Sequence, residues 1–337
     1  MNVNASVLPY REESLCFGPE SRLIATLTLP GDHPDSALPA ALTGSAELPP
    51  PHPHLHQASR TSAHPAAAGR APQRRPPGLI LLNAGMLPRI GPHRLNVELA
   101  RTAAAQGVSA IRFDLPGLGD SGFTSSRLSH DEQTRAAIED AMTLLSRTKH
   151  APDRFLIAGL CSGADAGFQM ARDDSRIVGL YMMEPYYFPN RFSNMFRTLR
   201  RLREYGMRRS VIRILQKSRF TRRHDPAADS APVPQAAPEE GVRAAPTPQH
   251  FAEDLRSLLG RGVQIKLIYA NTLMGNWDMR HHHRHIFSKV GHASHFDVEL
   301  VPHTDHVFTR VEARRHLIRG MAAWLRRIET QQHATPA

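Results

Sequence analysis

Cysteine is scarce in these 337 residues, which hold only Cys16 and Cys161. Two are too few for a disulfide framework, and the default expectation is a reducing cytoplasm. Long apolar runs are absent too. No stretch of eighteen apolar residues occurs, so no helix is expected to span a membrane. The opening "MNVNASVLPYREES" lacks the basic-then-apolar plan of a secretory leader. Aromatic residues are 6% of the chain and do not interleave with the basic ones as on base-stacking surfaces. No nucleic-acid-binding motif is visible either, which argues against that partner despite a net charge of +11. The charge still points to an acidic partner, such as an anionic membrane surface or an acidic acyl carrier. Convincing metal-ligand spacing is also missing. His52, His54, His56 and His64 lie in a tract with no preset geometry, and "RHHHRH" (280–285) reads as a solvated face. Neither a metal nor another cofactor is expected.

What is present is a long alternation. Short apolar runs occur at "SRLIATLTLP" (21–30), "GLILLNAG" (78–85), "SAIRFDL" (109–115), "RFLIAGL" (154–160), "IVGLYMME" (177–184), "VQIKLIYA" (263–270) and "FDVELVP" (296–302). From residue 78 onward, amphipathic helical segments lie between them. Continuous apolar strands separated by helices predict an α/β fold, a mostly parallel sheet covered on both faces. Residues 1–185 are read as the first part of this core, interrupted at 31–77 by a disordered Pro-, Ala- and His-rich insertion. Residues 186–261 are read as an inserted helical cap. Its 191–223 portion is a basic amphipathic helix holding twelve Arg and Lys against the single acid Glu204. Within it, 224–248 is expected to be disordered. Residues 262–330 complete the core, and 331–337 form a disordered tail.

One junction carries chemistry. "FLIAGLCSGADAGFQMA" (155–171) runs from an apolar strand through Gly159-Leu160-Cys161-Ser162-Gly163 into a helix. Gly-x-nucleophile-x-Gly between strand and helix is a nucleophile elbow, in which both glycines let strand and helix approach closely. Spacing selects Cys161. With Ser162 in the middle, the flanks would be Leu160 and Ala164, and Leu160 is too large. Ser162 then offers its backbone N–H to an oxyanion hole. A helix N-terminus and a nearby imidazole both favour a thiolate.

The motifs together resemble the α/β-hydrolase superfamily over residues 78–328. "RFDLPGLGDSG" (112–122) is similar to its D-x-x-G-x-G-x-S loop, "NAGMLPRIGPHR" (83–94) to its oxyanion loop and "PHTDHVFTR" (302–310) to its Asp-His-x-Phe signature. Within the superfamily the chain resembles the serine aminopeptidase-like branch, and more narrowly the cysteine-elbow hydrolases associated with bacterial exosortase systems. The resemblance implies His306 as the base, with His303 its near competitor. It implies oxyanion donors near Gly85 and Met86 beside Ser162, and Asp114 and Asp120 as loop-ordering residues. For the triad acid it leaves two candidates. Leu273 occupies the usual acid position after "KLIYA"; Asp278, a few residues on, is preferred, and Glu184, at the end of "GLYMME", is the alternative.

The expected activity is hydrolysis of, or acyl transfer from, an ester or thioester through an acyl-Cys161 intermediate, on a small-molecule or carrier-bound substrate. A peptidase-like amide hydrolase is the rival enzyme. A catalytically weak scaffold binding an acyl carrier or a membrane surface is the rival from another class.

Overall fold

The computed structural model describes residues 10–31, 75–123, 127–188, 245–270, 282–291 and 293–334. The expected insertion at 31–77 (apart from its ends), the arginine-rich part of the cap and Asp278 lie outside the described residues.

An eight-stranded sheet organises the chain. It comprises β1 (Tyr10–Phe17), β2 (Leu23–Pro30), β3 (Gly78–Leu81), β4 (Ala110–Phe113), β5 (Phe155–Leu160), β6 (Ile177–Met183), β7 (Gln264–Ala270) and β8 (Phe296–Val301). Their order is β1-β2-β4-β3-β5-β6-β7-β8. β1 pairs antiparallel with β2, and β2 antiparallel with β4. All remaining pairs are parallel. This is the α/β-hydrolase arrangement, with an antiparallel hairpin leading a parallel sheet.

The central strands are apolar on both faces because helices cover both. On one face Ile80, Ile157, Leu180, Ile265 and Leu267 pack with side chains of α2 (His130–Ser146), α3 (Ser162–Asp173) and α4 (Pro248–Gly260). On the other, Leu79, Leu81, Leu156, Ala158 and Ile268 pack with α1 (Leu95–Ala104) and α5 (Val311–Ala334). Alternate residues of one strand thus enter opposite cores, as the two-residue period of a strand demands. Trp324, 2% exposed, anchors α5 beside Tyr181, whose hydroxyl donates to Leu317 O at 2.9 Å.

Two boundaries differ from the sequence reading. α4, assigned there to the cap, is a crossover helix of the core. Its Phe251, Ala252, Leu255, Leu258 and Leu259 are all buried against the sheet. Its start is set by Thr247, whose hydroxyl accepts from His250 N–H at 3.2 Å, and by Pro248 at the first position. At the other end, α5 continues to Ala334, into the stretch read as tail.

Candidate active site

Cys161 occupies the one-residue joint between β5 and α3, at φ 55° and ψ −121°. A side-chain-bearing residue rarely adopts this conformation, and holding it costs roughly 1–3 kcal/mol. Two backbone hydrogen bonds clamp it. Cys161 N–H donates to Met183 O at 2.9 Å, and Cys161 O accepts from Asp165 N–H at 3.1 Å. The flanking glycines are required by contact. A Cβ on Gly159 would stand 2.3 Å from the Gly163 carbonyl carbon, and one on Gly163 would stand 2.3 Å from Asn83 O. Strand, helix and the loop after β3 therefore meet at van der Waals limits around the thiol.

Glu184 is the residue immediately after β6, adjacent in the sheet to the elbow strand. It too has a positive φ, 51°. Its N–H donates to Ile268 O at 2.7 Å. Its side chain is 3% exposed and fully engaged. Oε1 accepts from Ala270 N–H, and Oε2 accepts from His306 Nδ1 at 2.9 Å. His306 lies in the loop between β8 and α5. Phe308, wholly buried, pins that loop to the core. Asp305 tightens it by accepting from Thr309 N–H at 2.7 Å and from the Thr309 hydroxyl at 2.6 Å. His306 is pushed up to about 10, first by its interaction with the Cys161 side chain and then by Glu184, against an opposing effect of burial. Its imidazolium form is therefore favoured at neutral pH.

The structure brings together Cys161, His306 and Glu184. The sequence reading had preferred Asp278 as the carboxylate. Glu184, the alternative named from the sequence, is the carboxylate on Nδ1, and Asp278 lies outside the described residues. His303 is exposed and does not line the cavity around Cys161.

The oxyanion loop also differs in detail. Gly85 N–H, named above as a donor, is committed to the Ser162 hydroxyl at 2.8 Å. It serves as a strut between loop and helix. Ser162 N–H, at the first position of α3, has no intrahelical acceptor and remains as a donor at this junction. The loop itself is held by Asn83, which the sequence reading left without a role. Asn83 is 1% exposed; its amide donates to Leu87 O at 2.8 Å and to Asp114 Oδ1 at 3.2 Å, and its carbonyl accepts from Leu115 N–H at 3.0 Å. Asp114 further accepts from Arg89 N–H and from Asp120 N–H, and Arg89 bridges to Asp120 at 2.6 Å. Asp114 and Asp120 thus tie the β4 loop to the oxyanion loop.

A cavity of about 220 Å³ opens on these groups, lined by Cys161, Asp165, Glu184, Pro185, Tyr186, Tyr187, Tyr269 and His306. Asp165 and the three tyrosines were not singled out from sequence. Asp165 could have been, because it lies one helical turn beyond the elbow cysteine. His282, taken for part of a solvated face, is fully buried. It accepts from Phe188 N–H at 3.2 Å and stacks on Tyr187 with centroids 5.6 Å apart. No group of three metal-ligating side chains occurs among the described residues.

No protein-family profile matches the chain, and no curated protein matches it in sequence. Solved structures do match its shape. An esterase from Pyrococcus furiosus is 11% identical at a TM-score of 0.48, covering 97% of this chain and 94% of its own. An α/β serine hydrolase without lid from Xanthomonas campestris is 12% identical at 0.45, covering 94% of each chain. A thermophilic esterase from Thermogutta terrifontis is 17% identical at 0.42, covering 76% of this chain and 92% of its own. Strand order and pairing define the fold.

Proposed function

We propose that the protein is a hydrolase that cleaves an ester or thioester through a covalent acyl intermediate on Cys161. One observation carries this reading: a cysteine at the strained strand–helix joint faces an imidazole whose other nitrogen is fixed by a buried carboxylate. A thiol used only for packing needs neither the strained backbone nor a charged partner.

The chemistry follows from the protonation state. His306 is favoured as imidazolium, and a positive charge beside a thiol favours the nucleophilic thiolate form. Sγ attacks the carbonyl carbon, and the electron pair moves onto the carbonyl oxygen. Ser162 N–H and Met86 N–H receive that oxyanion, each such donor lowering the barrier by about 3 kcal/mol. As the tetrahedral species collapses, His306 gives its Nε2 proton to the departing alkoxide or thiolate, which leaves as alcohol or thiol. The now neutral ring takes a proton from water while the oxygen attacks the acyl-thioester. Collapse releases the carboxylic acid, returns the electron pair to Sγ and leaves the proton on His306. If a second alcohol or amine replaces water, the same steps transfer the acyl group. Glu184 keeps Nδ1 protonated and stabilises the imidazolium throughout.

The rival scaffold reading drew on Leu273 at the expected acid position. Glu184 on Nδ1 supplies a carboxylate by another route, which supports the enzyme. Membership of the cysteine-elbow branch associated with exosortase systems, and a cytoplasmic location, belong to this proposal. The elbow and the scarcity of cysteine support them. The test is turnover of p-nitrophenyl esters and acyl-thioesters, with intact-mass trapping of the acyl-enzyme. Cys161→Ala should abolish both turnover and the mass adduct. Full activity in Cys161→Ala with loss in Ser162→Ala would overturn the assignment.

A further inference from the structure

Ser162 follows the nucleophile directly and is exposed at the first position of α3. Its side chain receives Gly85 N–H at 2.8 Å. An amide N–H can only donate, so the Ser162 oxygen is the acceptor in this contact and its own proton is not spent there. Among the described residues that proton meets no acceptor. A hydroxyl donor is thus left over at the junction where the carbonyl of an acyl substrate would be polarised.

The surroundings fix where this hydroxyl stands. Gly85 lies in the loop after β3 at φ 54°, a conformation glycine reaches without steric cost, and its N–H points at the start of α3. Loop and helix also touch at Gly163, whose approach to Asn83 O leaves no room for a Cβ, so the 2.8 Å bond spans a set gap. An oxyanion entering between loop and helix therefore finds Gly85 N–H already engaged with the hydroxyl. The amide still acts on it indirectly. An O–H whose oxygen accepts a hydrogen bond becomes a stronger donor, by roughly 10–30%. The unpaired N–H groups at the start of α3 favour negative charge at the same place.

We infer that the Ser162 hydroxyl, as distinct from its backbone N–H, is a further catalytic group that donates to the oxyanion and relays the polarisation of Gly85 N–H to it. The inference rests on the reading of Cys161 as the nucleophile. As Sγ bonds to the carbonyl carbon, the π electron pair moves onto the carbonyl oxygen. The hydroxyl proton stays on Ser162 and is shared with that oxygen in a hydrogen bond. The bond weakens again when the pair returns and the leaving group departs.

The test compares p-nitrophenyl butyrate with its thiono counterpart, in which sulfur replaces the carbonyl oxygen. Sulfur is a weak hydrogen-bond acceptor, so oxyanion donors matter far less to the thionoester. Ser162→Ala should lower kcat/KM for the oxoester by about 10- to 100-fold and for the thionoester by much less. Ser162→Thr, which restores a hydroxyl, should recover most of the loss. Both esters share nucleophile, base and leaving group, so a folding defect lowers both alike and the ratio isolates the donor. Circular dichroism checks that each variant is folded. An unchanged or higher oxoester rate in Ser162→Ala, the result if Gly85 N–H takes the oxyanion itself, overturns the inference. An equal loss on both esters, or no recovery in a folded Ser162→Thr, overturns it too and leaves the hydroxyl as a strut. Intact-mass trapping on the unaltered chain separates the two readings. An acyl adduct on Cys161 with equal losses refutes the hydroxyl donor alone, whereas turnover without an adduct on Cys161 refutes the nucleophile reading and the inference with it.

Discussion

Replacing Glu184 by Gln changes one atom and little volume, so its effect isolates the carboxylate. Both oxygens of Glu184 accept hydrogen bonds, one from Ala270 N–H and one from His306 Nδ1. Glutamine has one acceptor and one NH₂ group. Ala270 N–H belongs to the end of β7 and cannot turn away, so the amide oxygen is expected to stay there. The NH₂ then faces Nδ1 and forces the imidazole to carry its proton on Nε2, the wrong tautomer for taking one from Cys161. A hydrogen bond to a charged group is worth about 1.5–3 kcal/mol. At 1.36 kcal/mol per decade, its loss should lower the His306 midpoint by about 1–2 pH units from its value of about 10, and kcat/KM by roughly 10- to 150-fold. NMR titration of the imidazole carbons reads the first quantity, and p-nitrophenyl butyrate hydrolysis the second. Iodoacetamide labelling of Cys161 against pH gives a third, independent of turnover: its rising limb should move to higher pH. If the histidine midpoint and the rate both stay unchanged in Glu184→Gln, the carboxylate does not orient the base.

Cys161→Ala should lower the His306 midpoint further than Glu184→Gln does, because the cysteine is the larger cause of the elevation; the same NMR titration checks it, and the reverse order would contradict the ion-pair description. The His306 proton is held more tightly in the folded chain, at about 10 against an ordinary 6.5, so its contribution to stability is complete below pH 6.5 and disappears as pH rises through 10. The difference in urea midpoint between wild type and His306→Ala should therefore shrink across that window. Gly163→Ala places a methyl 2.3 Å from Asn83 O and should reduce turnover at least 10-fold while thermal unfolding stays cooperative. Vesicle sedimentation tests the basic 191–223 segment: binding to anionic but not to zwitterionic vesicles at low salt supports a membrane-facing role, and no binding removes it.

The strands β2 to β8 were legible because each buried strand is a short apolar run ending at a turn. β1 was not. "YREESLCF" alternates charge and apolar character too weakly, and only its last residue, Phe17, is fully inside. Its ladder with β2 holds it, together with an ion pair from Glu12 to Arg101 at 2.6 Å, a partner 89 residues away. The elbow was readable because glycine spacing is a local constraint. The acid was not readable with certainty, because Glu184 and His306 are 122 residues apart and meet only through sheet order. Proximity to the usual acid position favoured Asp278, although sequence distance from a motif says little about distance from an imidazole. Gly85 likewise looked like a free donor, but its N–H donates to the Ser162 hydroxyl, 77 residues on. His282 looked solvated because its sequence neighbours are arginines and histidines, whereas its neighbours in space are Tyr187, Phe188, Tyr269 and Phe287.

The separation between Glu184 and His306 also has a consequence for how the chain comes into being. The elbow and its carboxylate are complete once β5 and β6 have been made, but the imidazole is supplied 122 residues later. At typical synthesis rates of about 5–20 residues per second, that interval lasts roughly 6–24 s. Throughout it the nascent thiol lacks the base that would activate it. In the proposed mechanism the thiol gains its base only when β8 closes the sheet edge and the following loop seats Phe308. Order of assembly would thus leave Cys161 without its proposed base until the sheet is complete.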